Sequence, residues 1–308
     1  MDKEDRQHRR ERRRRRLRRH GRRAYIRSVY FLPSLATLGN AICGFAACYV
    51  AAFDSNNVGD DPVARWLFLH KFMAASYLIF LAMVFDALDG RLARFARHTT
   101  DFGGQLDSMA DVVSFGAAPA FIALQVFKSD GPIAMPFAFT RLVWAIAALY
   151  LSCAMIRLAR FNVSNEHGEQ HHFSFLGLPS PGAAGAVVGL ILMQQDVKQQ
   201  DWLGYPIELS TTLVGVLPVI VLLSGLLMVS HLRYPHIVNR YLRGRRPIAR
   251  LISAVALVLL FVVAHRYVIG IGSLCFALWG PIHWAMVRWR PKPLVPETGH
   301  LPQSSPGR

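Results

Sequence analysis

Apolar residues along the chain fall into long blocks separated by short polar segments, and several blocks approach the roughly 20 residues that carry a helix across a bilayer. The clearest are residues 30–53, 211–230 and 267–287, while 72–85, 142–156 and 251–265 are shorter charge-free cores. Residues 105–127 and 176–193 bring the expected count to eight spans. The pattern predicts an all-α, polytopic membrane helical bundle.

Composition agrees. Of 308 residues, 53% are hydrophobic, above the about 45 to 50% of soluble domains. A net charge of +16 would suggest nucleic acid if it were spread over a soluble surface, but it is not spread. With the N-terminus inside and eight alternating helices, the inside segments hold 29 of the 35 Lys and Arg residues. The outside segments hold Arg65, Lys71, Lys128, Arg141, Lys198 and Arg266. The positive-inside rule then assigns both termini to the cytoplasmic face of the cell (inner) membrane.

Residues 1–29 carry 14 of these positive charges. Such a like-charge block is expected to be disordered, as a solvated tail that sets topology or as a segment drawn to anionic headgroups at about 1 kcal/mol per basic residue. The basic region is too long for a cleaved signal peptide, and the apolar block behind it is long enough to span. The Pro-rich residues 291–308 read as a second disordered tail. Cys43, Cys48, Cys153 and Cys275 lie in apolar segments, form no CxxC pair and read as small buried hydrophobes. Cys48 lies too deep in its span for a lipoprotein cleavage site. His171 and His172 lack a third ligand at metal spacing and read as a solvated loop.

Ionised residues at membrane depth cost about 2.5 to 3.5 kcal/mol each on insertion scales and by default mark function. Four aspartates occur within 26 residues: Asp86 and Asp89 close the second span at i, i+3, and Asp107 and Asp111 open the third at i, i+4. Each pair therefore shares one helical face. The segment 91–102 between them is short enough to make the two helices an antiparallel hairpin, which would gather the four carboxylates at the cytoplasmic boundary. Carboxylates so placed repel one another unless cations lie among them. Hard oxygen ligands suit Mg2+ or Mn2+, which keep open positions for substrate phosphates, and two bridged ions would neutralise a pyrophosphate. Gly90 and Gly103 let the backbone approach a bulky ligand, and Arg94 offers a forked, charge-assisted contact to phosphate.

Asp86, Asp89, Gly90, Ala93, Arg94, Gly103, Asp107 and Asp111 meet the pattern DxxDGxxARx8GxxxDxxxD without departure. On these residues the chain resembles the CDP-alcohol phosphotransferase family. The resemblance implies a six-helix catalytic core, here residues 30–230, with a C-terminal transmembrane helix pair at 231–290 beyond it, and usually a homodimer. It implies a site for two metal ions held by Asp86, Asp89, Asp107 and Asp111, with Asp111 also the general base. It further implies that Gly90, Arg94 and Gly103 meet the CDP portion of a CDP-diacylglycerol donor, with Thr37, Asn40 and Thr100 as further donor contacts.

Which alcohol is accepted depends on other residues. Residues 33–40 with Cys43 and Gly44, then 157–162 (RLARFN), then 177–181 (GLPSP), and more faintly 227–230 with 233–235, resemble the phosphatidylserine synthase branch of the family. That likeness runs over about residues 30–240 and implies L-serine as acceptor, phosphatidylserine and CMP as products, and direct displacement without a covalent intermediate. Arg157 and Arg160 lie at the cytoplasmic end of the fourth span, where guanidinium suits a serine carboxylate or anchors the helix end by the positive-inside rule. Asn162 would add a polar contact. Pro179 and Pro181 are expected to break the start of the fifth helix and leave backbone groups free beside the pocket. Trp279, Trp284 and Trp289 read as packing or interfacial anchors. The nearest rival is the same chemistry on glycerol 3-phosphate or inositol phosphate, which would favour a denser basic cluster. A cation or proton transporter would leave Gly90, Arg94 and the hairpin spacing unexplained.

Overall fold

A computed structural model describes residues 33–54, 60–96, 101–131, 136–166, 177–199, 206–232, 234 and 247–288; for 93–96, 101, 164–166, 206–208, 247–263 and 287–288 it describes the backbone alone. The two expected tails, the His171–His172 pair, Thr100, Trp289 and the side chain of Arg94 lie outside the described residues.

Among the described residues every regular element is a helix: α1 (Pro33–Ala51), α2 (Pro62–Leu69), α3 (Lys71–Ala96), α4 (Asp101–Asp111), a π-helical turn (Val112–Ala117), α5 (Ala118–Asp130), α6 (Phe137–Glu166), α7 (Ser180–Gln199), α8 (Pro206–Val229) and α9 (Pro247–Arg288). Short α2 starts where Asp61 caps it, its Oδ1 accepting from Val63 N at 2.9 Å, with Pro62 in the first turn, where a missing N–H costs nothing.

Six segments of the described residues are long and apolar enough to cross a membrane: Pro33–Ala51, Lys71–Leu92, Phe102–Asp130, Phe137–Val163, Leu209–Val229 and Ala264–Met286. The chain is a multi-pass membrane protein. Phe45 (71% exposed) and Trp144 (64%) turn large side chains outward, where a bilayer accepts them as water would not.

Two of the eight expected spans are not among these six. The expected span 251–265 falls mostly where only the backbone is described. It is continuous with the following span in α9, interrupted by non-helical backbone at Ala264 (φ −130°, ψ 38°). The expected span 176–193 corresponds to α7, whose 20 residues give a length of about 30 Å. It falls short in apolarity because it meets protein instead of lipid: α3, α5, α8 and α9 pack around it, and Ala183, Ala184, Ala186, Val187 and Val188 are fully buried. Small residues allow this close approach. A Cβ on Gly189 would lie 2.9 Å from Gly270 Cα, and one on Gly182 would lie 2.6 Å from the Phe276 ring.

The far end of α7 is polar, with Gln194, Gln195 and Asp196 buried and Lys198 exposed. Lys198 Nζ donates to Asp130 Oδ1 at 2.7 Å, Gln195 Nε2 donates to Asp130 Oδ2 at 2.8 Å, Gln194 Nε2 donates to Ser210 Oγ at 2.9 Å, and Asp196 pairs with Arg266. Buried charges are tolerated when paired in this way, and the network ties α5, α7, α8 and α9 together. Cys43 and Cys153 are buried as expected, but Cys275 is exposed. It shares the outer face of α9 with exposed Ile271, Leu278 and Ile282, while Ala277 and Gly280 are buried on the inner face.

Candidate active site

The α3 and α4 helices bring three carboxylates together. Oxygens of Asp86, Asp89 and Asp107 all lie within 4.8 Å of one another. Asp89 is buried and the other two half-buried. Asp89 Oδ2 and Asp107 Oδ1 are buried without a hydrogen-bond partner, an arrangement that is repulsive and costly unless a cation completes it. An all-carboxylate donor set of this kind fits a hard divalent ion.

Asp111 stands outside this group of three. It is 8% exposed and accepts a hydrogen bond at Oδ1 from Asn40 Nδ2 at 3.1 Å. Directly after it the helix widens into the π turn Val112–Ala117, a device frequent at functional positions. Ser114 in that turn donates to Asn40 O at 2.8 Å, and a Cβ on Gly44 would lie 2.7 Å from Ser114 Cα, so only glycine admits this contact between α1 and the turn. Thr37, one turn before Asn40, lies beside Asp89. A Cβ at Gly90 would meet nothing within 4 Å, leaving open space next to Asp89.

Arg157, from α6, interacts electrostatically with both Asp86 and Asp111, and its Nη1 donates to Ser180 Oγ at 2.6 Å. Arg160 is close enough for its charge to be felt by Arg157. Asn162 Oδ1 accepts from Ser108 Oγ at 3.0 Å, tying the end of α6 to α4. Ser108 escaped the sequence reading, because a small hydroxyl residue carries no spacing signal of its own, and Ser180 entered it only as part of the segment 177–181, with no contact assigned.

The expectation of free backbone groups around Pro179 and Pro181 is not met at Gly177 and Leu178. Gly177 N donates to Leu232 O at 2.8 Å and Leu178 N to Leu227 O at 2.9 Å. Gly177 has φ 87°, which a side chain would strain, and a Cβ there would lie 2.3 Å from Met228 O. Tyr234 in turn donates to Ala277 O at 2.9 Å, and burial pushes its hydroxyl up to about 12, so it remains a donor at neutral pH. Arg157, residues 177–180 and residues 227–232, separate in sequence, are thus linked by hydrogen bonds, with Arg157 the member that reaches the carboxylates.

Residues 30–217 match the CDP-alcohol phosphatidyltransferase family. The chain belongs to this family. Family membership makes it a metal-dependent transferase, in keeping with the carboxylate cluster. It is 32% identical over 211 residues to the CDP-diacylglycerol--serine O-phosphatidyltransferase of Helicobacter pylori, covering 68% of this chain and 74% of that protein. It is 30% identical over 207 residues to the protein of that name from Bacillus subtilis, covering 67% of this chain and 90% of the relative. With the Methanocaldococcus jannaschii protein of that name it shares 34% identity over 163 residues, 53% of this chain and 64% of the relative.

Proposed function

We infer that this protein transfers the phosphatidyl group of CDP-diacylglycerol to L-serine, giving phosphatidylserine and CMP. The observation that carries the reading is the carboxylate cluster of Asp86, Asp89 and Asp107 with Asp111 and Arg157 beside it, in a chain whose relatives bear that activity in their names. Asp86, Asp89 and Asp107, with Asp111 adjoining, would hold Mg2+ or Mn2+, two ions in the fullest form of the site. Held there, such ions would supply charge neutralisation for the pyrophosphate and for the departing CMP.

Asp111 accepts the serine hydroxyl proton as that oxygen forms its bond to the lipid-attached phosphorus, and the bond from this phosphorus to the CMP oxygen breaks. Gly90, Arg94, Gly103 and Thr100, with Thr37 from α1, meet the CDP portion of the donor. Arg157, with Arg160 and Asn162 nearby, orients the serine carboxylate. Both substrates are held at once, so positioning lowers much of the barrier and no covalent intermediate is needed. The acyl chains stay in lipid between the helices.

The same reading gives a cytoplasmic active site in the cell (inner) membrane, supported by the excess of Lys and Arg on that side. It also gives a basic tail at 1–29, a catalytic core at 30–230, a helix pair at 231–290, a tail at 291–308 and a homodimer. Serine-dependent release of CMP from CDP-diacylglycerol by the purified protein, abolished by chelator and restored by Mg2+ or Mn2+, is the test. Metal-dependent CMP release with glycerol 3-phosphate or inositol phosphate and not with serine would overturn the acceptor alone. No CMP release with any alcohol would overturn the transferase reading.

A further inference from the structure

We propose that Asn40 is a positioning residue for Asp111 and not a contact of the nucleotide donor. The inference rests on the reading of Asp111 as the proton acceptor. Asn40 is fully buried, and its amide nitrogen is turned to Asp111. Its Nδ2 donates to Asp111 Oδ1 at 3.1 Å, and the opposite amide orientation would set two oxygens against each other, which fixes the assignment of the amide. Its own Oδ1 is buried with no partner. A buried, half-satisfied carboxamide is a rare feature in a folded chain, and the hydrogen bond to Asp111 accounts for its presence.

The placement of Asn40 is itself enforced. Ser114 Oγ donates to Asn40 O at 2.8 Å, and one turn further along α1 Gly44 lets the π turn approach within contact of the helix. The turn that follows Asp111 therefore grips the residue that holds the Asp111 carboxylate, and α1 and the start of the third membrane span set that carboxylate together. With Oδ1 committed to Asn40, the other carboxylate oxygen is the one left to meet the acceptor hydroxyl. A base must lie within about 2.6 to 3.2 Å of the proton it takes, and loss of alignment lowers the rate of the step without weakening the binding of either substrate.

Asn40→Leu, near in volume but unable to donate, and Asn40→Ala are compared in purified protein. The readouts are kcat for serine-dependent CMP release, KM for each substrate, and metal-dependent binding of CDP-diacylglycerol, which also reports that the variant is folded. The expected result is a fall in kcat of about 10- to 100-fold with donor KM and donor binding within about twofold of the parent. In an Asp111→Asn background, Asn40→Leu should add no further loss to the residual turnover, because residues that act through one group are not additive. Weakened donor binding with kcat unchanged would overturn the proposal and return Asn40 to the donor site. A full multiplicative loss in the Asp111→Asn background would overturn it too. If Asp111→Asn itself turns over normally, the base reading has failed; if Asp111→Asn is impaired and both Asn40 variants keep full kcat, this inference alone has failed.

Discussion

Replacing Arg157 with Lys separates two things that arginine does at once. The guanidinium balances Asp86 and Asp111 electrostatically, and it is steered by Ser180 Oγ at 2.6 Å. Lysine keeps one positive charge near the two carboxylates but loses the planar fork that matches a substrate carboxylate. A charge-assisted contact of this kind is worth about 1.5 to 3 kcal/mol, so serine KM should rise roughly 10- to 150-fold where KM tracks binding, with donor KM nearly unchanged. Alanine is a less clean probe: it also leaves Asp86 and Asp111 without their positive neighbour, and donor and metal binding should suffer with it. Ser180→Ala keeps the fork but frees its orientation. The lost hydrogen bond of about 0.5 to 1.5 kcal/mol should raise serine KM by roughly 2- to 12-fold. Initial rates of CMP release over a serine series and a donor series measure all three variants, with ethanolamine as the acceptor that keeps hydroxyl and amine but lacks the carboxylate. Unchanged serine KM in Arg157→Lys and Arg160→Lys would remove both arginines from the acceptor site, and a penalty on donor KM equal to that on serine would assign Arg157 to charge balance alone.

Asp111→Asn should lower kcat by about 10²- to 10⁴-fold, the usual worth of a general base, while metal-dependent donor binding survives on Asp86, Asp89 and Asp107; normal turnover would refute the base assignment. Asp86→Ala and Asp107→Ala should weaken metal and donor binding together, as direct titration of the divalent ion and of the donor would show, and retention of metal-dependent donor affinity in both would refute the cluster as the metal site. Gly189→Ala drives a Cβ to 2.9 Å from Gly270 Cα, an overpacking that should cost about 1 to 3 kcal/mol and lower the unfolding midpoint in detergent, with turnover at low temperature retained; an unshifted midpoint would show that the α7–α9 contact relaxes freely.

The carboxylates were legible in the sequence because charge inside an apolar run has few innocent explanations, and because i, i+3 and i, i+4 spacings fix a shared helical face. Spacing does not report what the backbone does next. The π turn that begins at Val112, and the hydrogen bond that sets Asp111 apart from the other three through Asn40, depend on packing against α1, some 70 residues away. Helix α7 was legible as a span, but its enclosure by other helices was not. Hydropathy measures what a helix would like around it, and a helix enclosed by other helices is free to use Gly, Ala and even buried Gln194, Gln195 and Asp196. Pro179 and Pro181 were read as breaking the start of the fifth helix, and α7 begins between them at Ser180, yet the backbone donors of Gly177 and Leu178 are taken by Leu232 and Leu227, acceptors more than 45 residues distant that no local pattern reveals.

These long-range bonds change the weight of the residues beyond the family match, which ends at 217. The partner of Arg157 is Ser180, the first residue of α7, so the acceptor side of the site is only as well placed as α7 itself. Helix α7 is held at its start by Leu227 and Leu232, along its length by the glycine contacts with α9, and at its far end by the pairing of Asp196 with Arg266. Tyr234 closes the circuit by bonding to Ala277. Helix α9 touches none of the carboxylates through any bond described above, but it encloses the helix that presents Ser180 to Arg157. The described residues beyond 230 therefore pack against the helix that presents Ser180 to Arg157. Substitutions on the inner face of α9 should accordingly act on serine KM through α7 before they act on the donor, whose proposed contacts lie on α1, α3 and α4.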